Sequence, residues 1–115
     1  MRNPPEYMDG CFRLYKTHPD NTNDFPEVYL IDTEMDIWYR ELSVFDRTRY
    51  EFNQKGKEVT MKVRIPRYKE IDSTCVCVIE GAQHQVYNAA RVVDKSGFPE
   101  TELTLIKPER QLSIL

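Results

Sequence analysis

Val59-Thr60-Met61-Lys62-Val63-Arg64-Ile65-Pro66 is the stretch whose reading decides the fold. Apolar and polar side chains alternate from Val59 to Ile65 without a break, the period of a strand with one face on a core and the other in water. Pro66 ends the strand, because proline has no N–H to give to a ladder. The alternation predicts that Val59, Met61, Val63 and Ile65 face the core. Toward the C-terminus, Cys75-Val76-Cys77-Val78-Ile79 is a short apolar run rich in β-branched residues. Glu80-Gly81-Ala82 supplies a turn, Gln85 to Val93 resumes as a strand, and Asp94-Lys95-Ser96-Gly97 turns again. Thr101 to Ile106 is the final strand, with Leu103 and Leu105 on one face. Toward the N-terminus, Asp46 to Lys55 reads as a short helix, with Asp46 as N-cap and Gly56 at C′. Phe45 and Tyr50 have the spacing of a hydrophobic staple. Ile37 to Phe45 is a strand candidate with Trp38, Leu42 and Val44 on one face, interrupted by Arg40. Cys11 to Thr17 is another, with Phe12 and Leu14 on one face. The expected fold is all-β: a small barrel of five to six strands with one short helix near 46–55 and a long loop after the first strand.

The chain has 115 residues, enough for one domain. Hydrophobic residues make up 40% and charged residues 30%, which excludes collagen and highly charged disordered chains. Mean hydropathy is -0.64, and no apolar run approaches the ~20 residues of a membrane span. The opening Met1-Arg2-Asn3-Pro4-Pro5 lacks the apolar stretch of a signal peptide, so the expectation is a soluble protein made and left in a cytosol. Residues 1–9 and 108–115 read as extensions flanking a 10–107 barrel. The three cysteines are an odd count, and Cys75 and Cys77 share a strand face, so free thiols are expected.

Charge is segregated along the chain. No Lys or Arg lies between Lys16 and Arg40, while Asp20, Asp24, Glu27, Asp32, Glu34 and Asp36 do. The first part, His18-Pro19-Asp20-Asn21-Thr22-Asn23-Asp24-Phe25-Pro26, consists of turn formers and reads as a long loop. Conversely, Lys57, Lys62, Arg64, Arg67 and Lys69 cluster around one strand, with only Glu58 opposing them. One reading is ordinary solvated surface. The other sets one subunit's acidic loop against another subunit's basic strand. Net charge is -3, which disfavours a non-specific grip on nucleic acid.

Catalytic signatures are sparse. The two histidines, His18 and His84, form no recognisable constellation with a nucleophile and an orienting acid. Cys11, Cys75, Cys77 and His84 offer zinc-ligand chemistry without the paired knuckles of zinc ribbons. The glycines are isolated, so there is no phosphate loop. Arg47-Thr48-Arg49-Tyr50 and Arg64-Ile65-Pro66-Arg67-Tyr68 carry the base-plus-aromatic chemistry that stacks single-stranded nucleic acid, and a small barrel bearing them is the alternative reading.

From Trp38 to Pro108 the chain resembles the small head-closure, or head–tail joining, proteins of tailed bacteriophages. The residues that carry the resemblance begin with Trp38-Tyr39-Arg40-Glu41-Leu42-Ser43-Val44 and Arg49-Tyr50-Glu51-Phe52 before Gly56. They continue with Val59 to Ile65, Ile79-Glu80-Gly81 with Val86-Tyr87, and Thr101-Glu102-Leu103-Thr104-Leu105. Met8-Asp9-Gly10-Cys11-Phe12-Arg13-Leu14-Tyr15 is similar to the family's opening strand. The resemblance implies a small β-barrel with one helix and no enzymatic activity or cofactor. It also implies a homo-oligomeric ring below a portal–adaptor ring and above a tail terminator or tail tube. Such a ring sits in the virion after assembly in the host cytoplasm, without a membrane. Double-stranded DNA passes through it without sequence recognition. On this resemblance His18, Asp20, Asn21, Asn23, Asp24, Glu27, Asp32, Glu34 and Asp36 belong to a loop that gates the channel. Lys57, Lys62, Arg64, Arg67 and Lys69 form an inter-subunit patch. Tyr7, Met8, Leu112, Ile114 and Leu115 are expected to contact the adaptor or tail. A tail-completion protein of the same region is a further reading.

Overall fold

A computed structural model of the chain describes residues 6–20 and 27–114. Six antiparallel strands form a closed barrel, in the order β1-β2-β3-β6-β5-β4. The strands are β1 (Gly10–Asp20), β2 (Glu27–Leu42), β3 (Val59–Pro66), β4 (Cys75–Ile79), β5 (Ala82–Val93) and β6 (Pro99–Ile106), with helix α1 (Asp46–Gln54) between β2 and β3. The all-β barrel with one short helix is the expected fold.

The barrel interior follows from strand period. Phe12 and Leu14 of β1, Ile37 and Tyr39 of β2, and Val63 and Ile65 of β3 enter one core cluster. So do Cys75, Cys77 and Ile79 of β4, Val86 of β5, and Leu103 and Leu105 of β6, while Ile71 closes one end from the β3–β4 connection. Gly10 is set by close approach: a Cβ there would lie 2.5 Å from the Tyr39 hydroxyl. The β4–β5 link is a two-residue turn in which Glu80 (φ 50) and Gly81 (φ 81) are both left-handed, the conformation that matches strand twist in a tight hairpin.

Four expectations about side-chain phase and boundaries are corrected. A bulge between Val59 and Met61 places Val59 opposite Ile106 and Met61 opposite Leu105. Val59 is nevertheless buried and Met61 packs against the core cluster, as the alternation predicts; the corrections concern β2 and α1. In β2 it is Ile37 and Tyr39 that point inward. Trp38 is 60% exposed, and the strand stops at Leu42, before Val44. The cap of α1 is Phe45, with no side-chain hydrogen bond, so Asp46 is the first helical residue. Phe45 and Tyr50 are both exposed rather than buried as a staple. Gly56, at φ 73, is the left-handed residue after the helix, as expected.

The stretch read as a long loop is mostly strand. His18 to Asp20 belong to β1 and Glu27 to Asp36 belong to β2, and they pair in register from Gly10 opposite Tyr39 to Asp20 opposite Glu27. Asn21, Asn23 and Asp24 lie outside the described residues. β1 pairs with β4 only from Arg13 to Lys16, and β2 pairs with β3 only from Arg40 to Leu42. The distal arms of the hairpin thus project past the barrel. The radius of gyration is 15.2 Å, against roughly 13 Å for a compact chain of this length, and the longest extent is 58 Å.

The C-terminal extension folds back on the barrel. Ser113 O accepts from Leu30 N at 2.8 Å, and Leu30 and Ile114 form a parallel bridge. The Gln83 side-chain amide clamps the Leu112 backbone, donating to its carbonyl at 2.8 Å and accepting from its N–H at 2.9 Å.

Candidate functional site

The acidic run is not free of bases, because the antiparallel register brings Arg13 of β1 beside it. The Arg13 guanidinium makes a bidentate pair with Asp32, at 2.8 and 3.1 Å, and reaches Asp36 at 3.0 Å. These contacts bracket a bulge between Leu14 and Tyr15 at which Thr33 and Glu34 are extra residues. The Thr33 hydroxyl donates to Leu14 O at 2.7 Å, and the Glu34 N–H, at φ 62, donates to Asp32 Oδ1 at 2.7 Å. The Arg13 hydrogen bonds, followed by the Glu34 N–H, hold the Asp32 carboxyl below the usual carboxylate range. Nearer the hairpin tip, the Tyr29 hydroxyl donates to Glu27. Exposed carboxylates remain at Glu27 and Glu34, and His18 is exposed beside them in β1.

The basic patch is largely consumed within the chain. β3 lies against β6 with Arg64 opposite Glu102, so the polar faces of the two strands carry opposite charge. Arg64 bonds Glu102 at 3.0 Å and Glu100 at 3.3 Å, and Lys62 lies 4.0 Å from Glu102. Arg67 donates to the carbonyls of Val92 at 2.7 Å and Glu100 at 3.4 Å. Lys57 sits over the Tyr87 ring, while Lys69 is exposed. Of the residues expected in an inter-subunit patch, Lys62, Arg64 and Arg67 thus contact groups of their own barrel.

At the centre is Glu100, 0% exposed. Arg40 forks onto it, at 2.8 and 3.3 Å, Arg64 adds a third bond, and the Tyr7 hydroxyl donates a fourth at 2.9 Å. A buried carboxylate is tolerable only when paired and fully hydrogen-bonded, and among the described residues no buried side-chain polar atom lacks a partner. Sequence reading missed Glu100, Arg40 and Tyr7 as a unit. The available signal was the Glu100/Glu102 alternation answering Lys62/Arg64. Both oxygens of Glu100 are occupied, so the cluster acts as an ion-pair lock holding β2, β3, β6 and the N-terminal segment together.

The termini also bond in cis. Tyr7, Leu112 and Ile114, expected on a partner, are engaged with Glu100, Gln83 and Leu30 respectively. Met8 is exposed, and Leu115 lies outside the described residues. Cys75 and Cys77 are buried free thiols whose pKa values burial pushes up, and Cys11 is half-buried and free. His84 Nδ1 is 2.8 Å from Thr60 Oγ1, and burial lowers its pKa, favouring the neutral ring. Among the described residues no three His, Cys, Asp or Glu side chains group as a metal shell requires. Of the nucleic-acid candidates, Arg47 pairs with Glu51 at 3.2 Å and Arg49 donates to Val59 O at 3.0 Å, leaving Tyr50 exposed. No protein-family model matches the chain, and no curated protein matches it.

Proposed function

We propose that this chain is a structural connector protein of a tailed bacteriophage. It forms a ring below the portal–adaptor, closes the DNA-filled head and offers the tail its attachment surface. The role is mechanical, with no reaction and no cofactor. The observation that carries the reading is the β1–β2 hairpin projecting beyond a closed barrel, at the chain position where the sequence resemblance implies a channel-narrowing element. The helix between β2 and β3 supports it as well. In this reading the narrowing element is the pair of long strands β1 and β2 rather than a loop, with their far ends toward the ring axis. Exposed Glu27 near that axis repels phosphate and lets duplex DNA slide. The place of action is the head–tail interface of the virion, with assembly in the host cytoplasm. The test is electron microscopy of the protein mixed with portal–adaptor complexes. A ring of added density below the adaptor is expected. Persistent monomer with no binding, or tight binding to single-stranded oligonucleotides instead, would overturn the proposal.

A further inference from the structure

Besides β1, which runs past β4 at both ends, two strands in this barrel are longer than the neighbours that cover them. β2 meets β3 only from Arg40 to Leu42, and after its bulge at Thr33 and Glu34 the stretch Met35–Tyr39 has β1 on one edge alone. β5 meets β4 only from Ala82 to Gln85, and after its bulge at Tyr87 the stretch Asn88–Val93 has β6 on one edge alone. Among the described residues no strand pairs with either free edge; the Val92 carbonyl takes the Arg67 side chain. An uncovered edge presents unpaired N–H and C=O groups and is a template for another strand.

The two edges complement each other. They match in length to within a residue. Met35–Tyr39 carries Asp36 and no base, with Glu34 just before it; Asp36 shares the single Arg13 guanidinium with Asp32, so this edge keeps a net negative charge, while Asn88–Val93 carries Arg91 and no acid, with Asp94 just after it. Large exposed apolar side chains gather on the same strands: Ile31, Met35 and Trp38 on β2, and Tyr87 and Val93 on β5. Beside the β2 edge, Met35, Ile37, Trp38, Pro66 and Tyr68 line a cleft of about 300 Å³, with Asp36 and Arg67 at its margin. Val93, 59% exposed, is an apolar side chain of a size to enter it. In the closed order β1-β2-β3-β6-β5-β4, β2 and β5 stand opposite each other, so the two edges lie on different sides of one chain.

We infer that neighbouring copies of this chain join edge to edge, Met35–Tyr39 of one against Asn88–Val93 of the next, with Asp36 and Arg91 steering the approach. Such a contact uses different surfaces on each partner and repeats head to tail, closing into a ring where the rotation allows. The inference deepens the connector reading and rests on it for closure, while the contact itself stands on the two edges. A short edge pair buries less than the roughly 800 Å² per partner of a stable complex. Isolated copies should therefore associate weakly and gain strength when several contacts close together.

Cysteine cross-linking tests it. In a Cys11→Ser background, a cysteine is placed at Met35, Asp36 or Trp38 and combined in the same chain with one at Ala90, Arg91 or Val93, in every pairwise combination so that either register is sampled. Under diamide at high protein concentration, at least one double variant should give a ladder of disulfide-linked oligomers, while each single variant stays monomeric. Arg91→Glu added to a ladder-forming variant with its cysteine at Ala90 or Val93 should diminish the ladder, and circular dichroism of each variant shows whether the barrel is retained. Absence of a ladder from every folded combination, or dimers from a single-cysteine variant, would overturn the inference. Rings on the portal without any ladder would sink this contact and leave the connector reading standing. A ladder without portal binding would do the reverse.

Discussion

Glu100 shows what a single buried charge controls. Removing it strands Arg40 and Arg64 beside an empty site, and breaking a buried pair typically costs 3–5 kcal/mol. Both guanidinium groups keep about a quarter of their side-chain surface in water, at 27% and 23%, so the lower end applies. Glu100→Ala should destabilise the barrel by about 3 kcal/mol, read as a lower urea midpoint at unchanged slope. Tyr7 reports on the same cluster through pH. Burial, then the hydrogen bond to Glu100, raises its phenol above the ordinary value of 10.0. The folded state thus resists an ionisation that the unfolded chain accepts. The contribution of Tyr7 is complete below pH 10 and is lost as pH rises toward the folded value. Tyr7→Phe should be less stable than the wild type near neutrality, and the gap should narrow above pH 10. A gap in melting temperature that stays constant or widens would refute this. Glu100 was legible in sequence only as one half of an alternating pair of acids. Its partner Arg40 read as an interruption of a strand, because the face it occupies is set by which strand lies next to β2.

Elements differ in how much of their geometry is local. β3 and β6 could be read directly, since unbroken alternation survives in their sequences. β2 could not, because the extra residues at Thr33 and Glu34 break its period, and cross-strand partners on β1 hold that bulge. Arg13, which pairs with both Asp32 and Asp36 and offsets one of their two charges, is what lets a carboxylate-rich run lie in a sheet, and nothing within 18–36 itself announces it. The β4–β5 turn was legible from Gly81, yet its first residue is a glutamate at φ 50, where asparagine is preferred. Glu80→Asn should raise stability by about 0.5–1 kcal/mol, the size of the left-handed penalty that asparagine reduces. Helix α1 has no buried residue and no capping side chain. Phe45 is 75% exposed, so replacing it sacrifices little packing. Phe45→Ser should strengthen α1 by about 1 kcal/mol, seen as slower amide exchange in the helix. A decrease in stability would mean that Phe45 packs in solution as it does not here.

The molecule as a whole sets a small barrel against a projecting hairpin, and its charge differs between them. The barrel pairs its own cations: Lys62 and Arg64 with Glu102, Arg64 and Arg40 with Glu100. Arg13 offsets one of the two charges of Asp32 and Asp36 at the hairpin's base, where Glu34 also lies, and Glu27 is an exposed carboxylate nearer the tip. If a ring presents these tips to a channel, their sign decides whether duplex DNA slides or sticks. Cations there would displace the counterions condensed on DNA and gain affinity from their release; carboxylates gain nothing. Two consequences can be measured on portal-bound rings. The wild type should show no salt-dependent binding to a short duplex at moderate ionic strength. Glu27→Lys should create binding that falls with added salt, with a slope growing by about 0.9 for each phosphate neutralised. Glu27 is exposed and does not belong to the Glu100 cluster, so the barrel should melt as before. Tight duplex binding by the wild type, or a charge-reversed variant as indifferent to DNA as its parent, would mean that the tips do not face the channel.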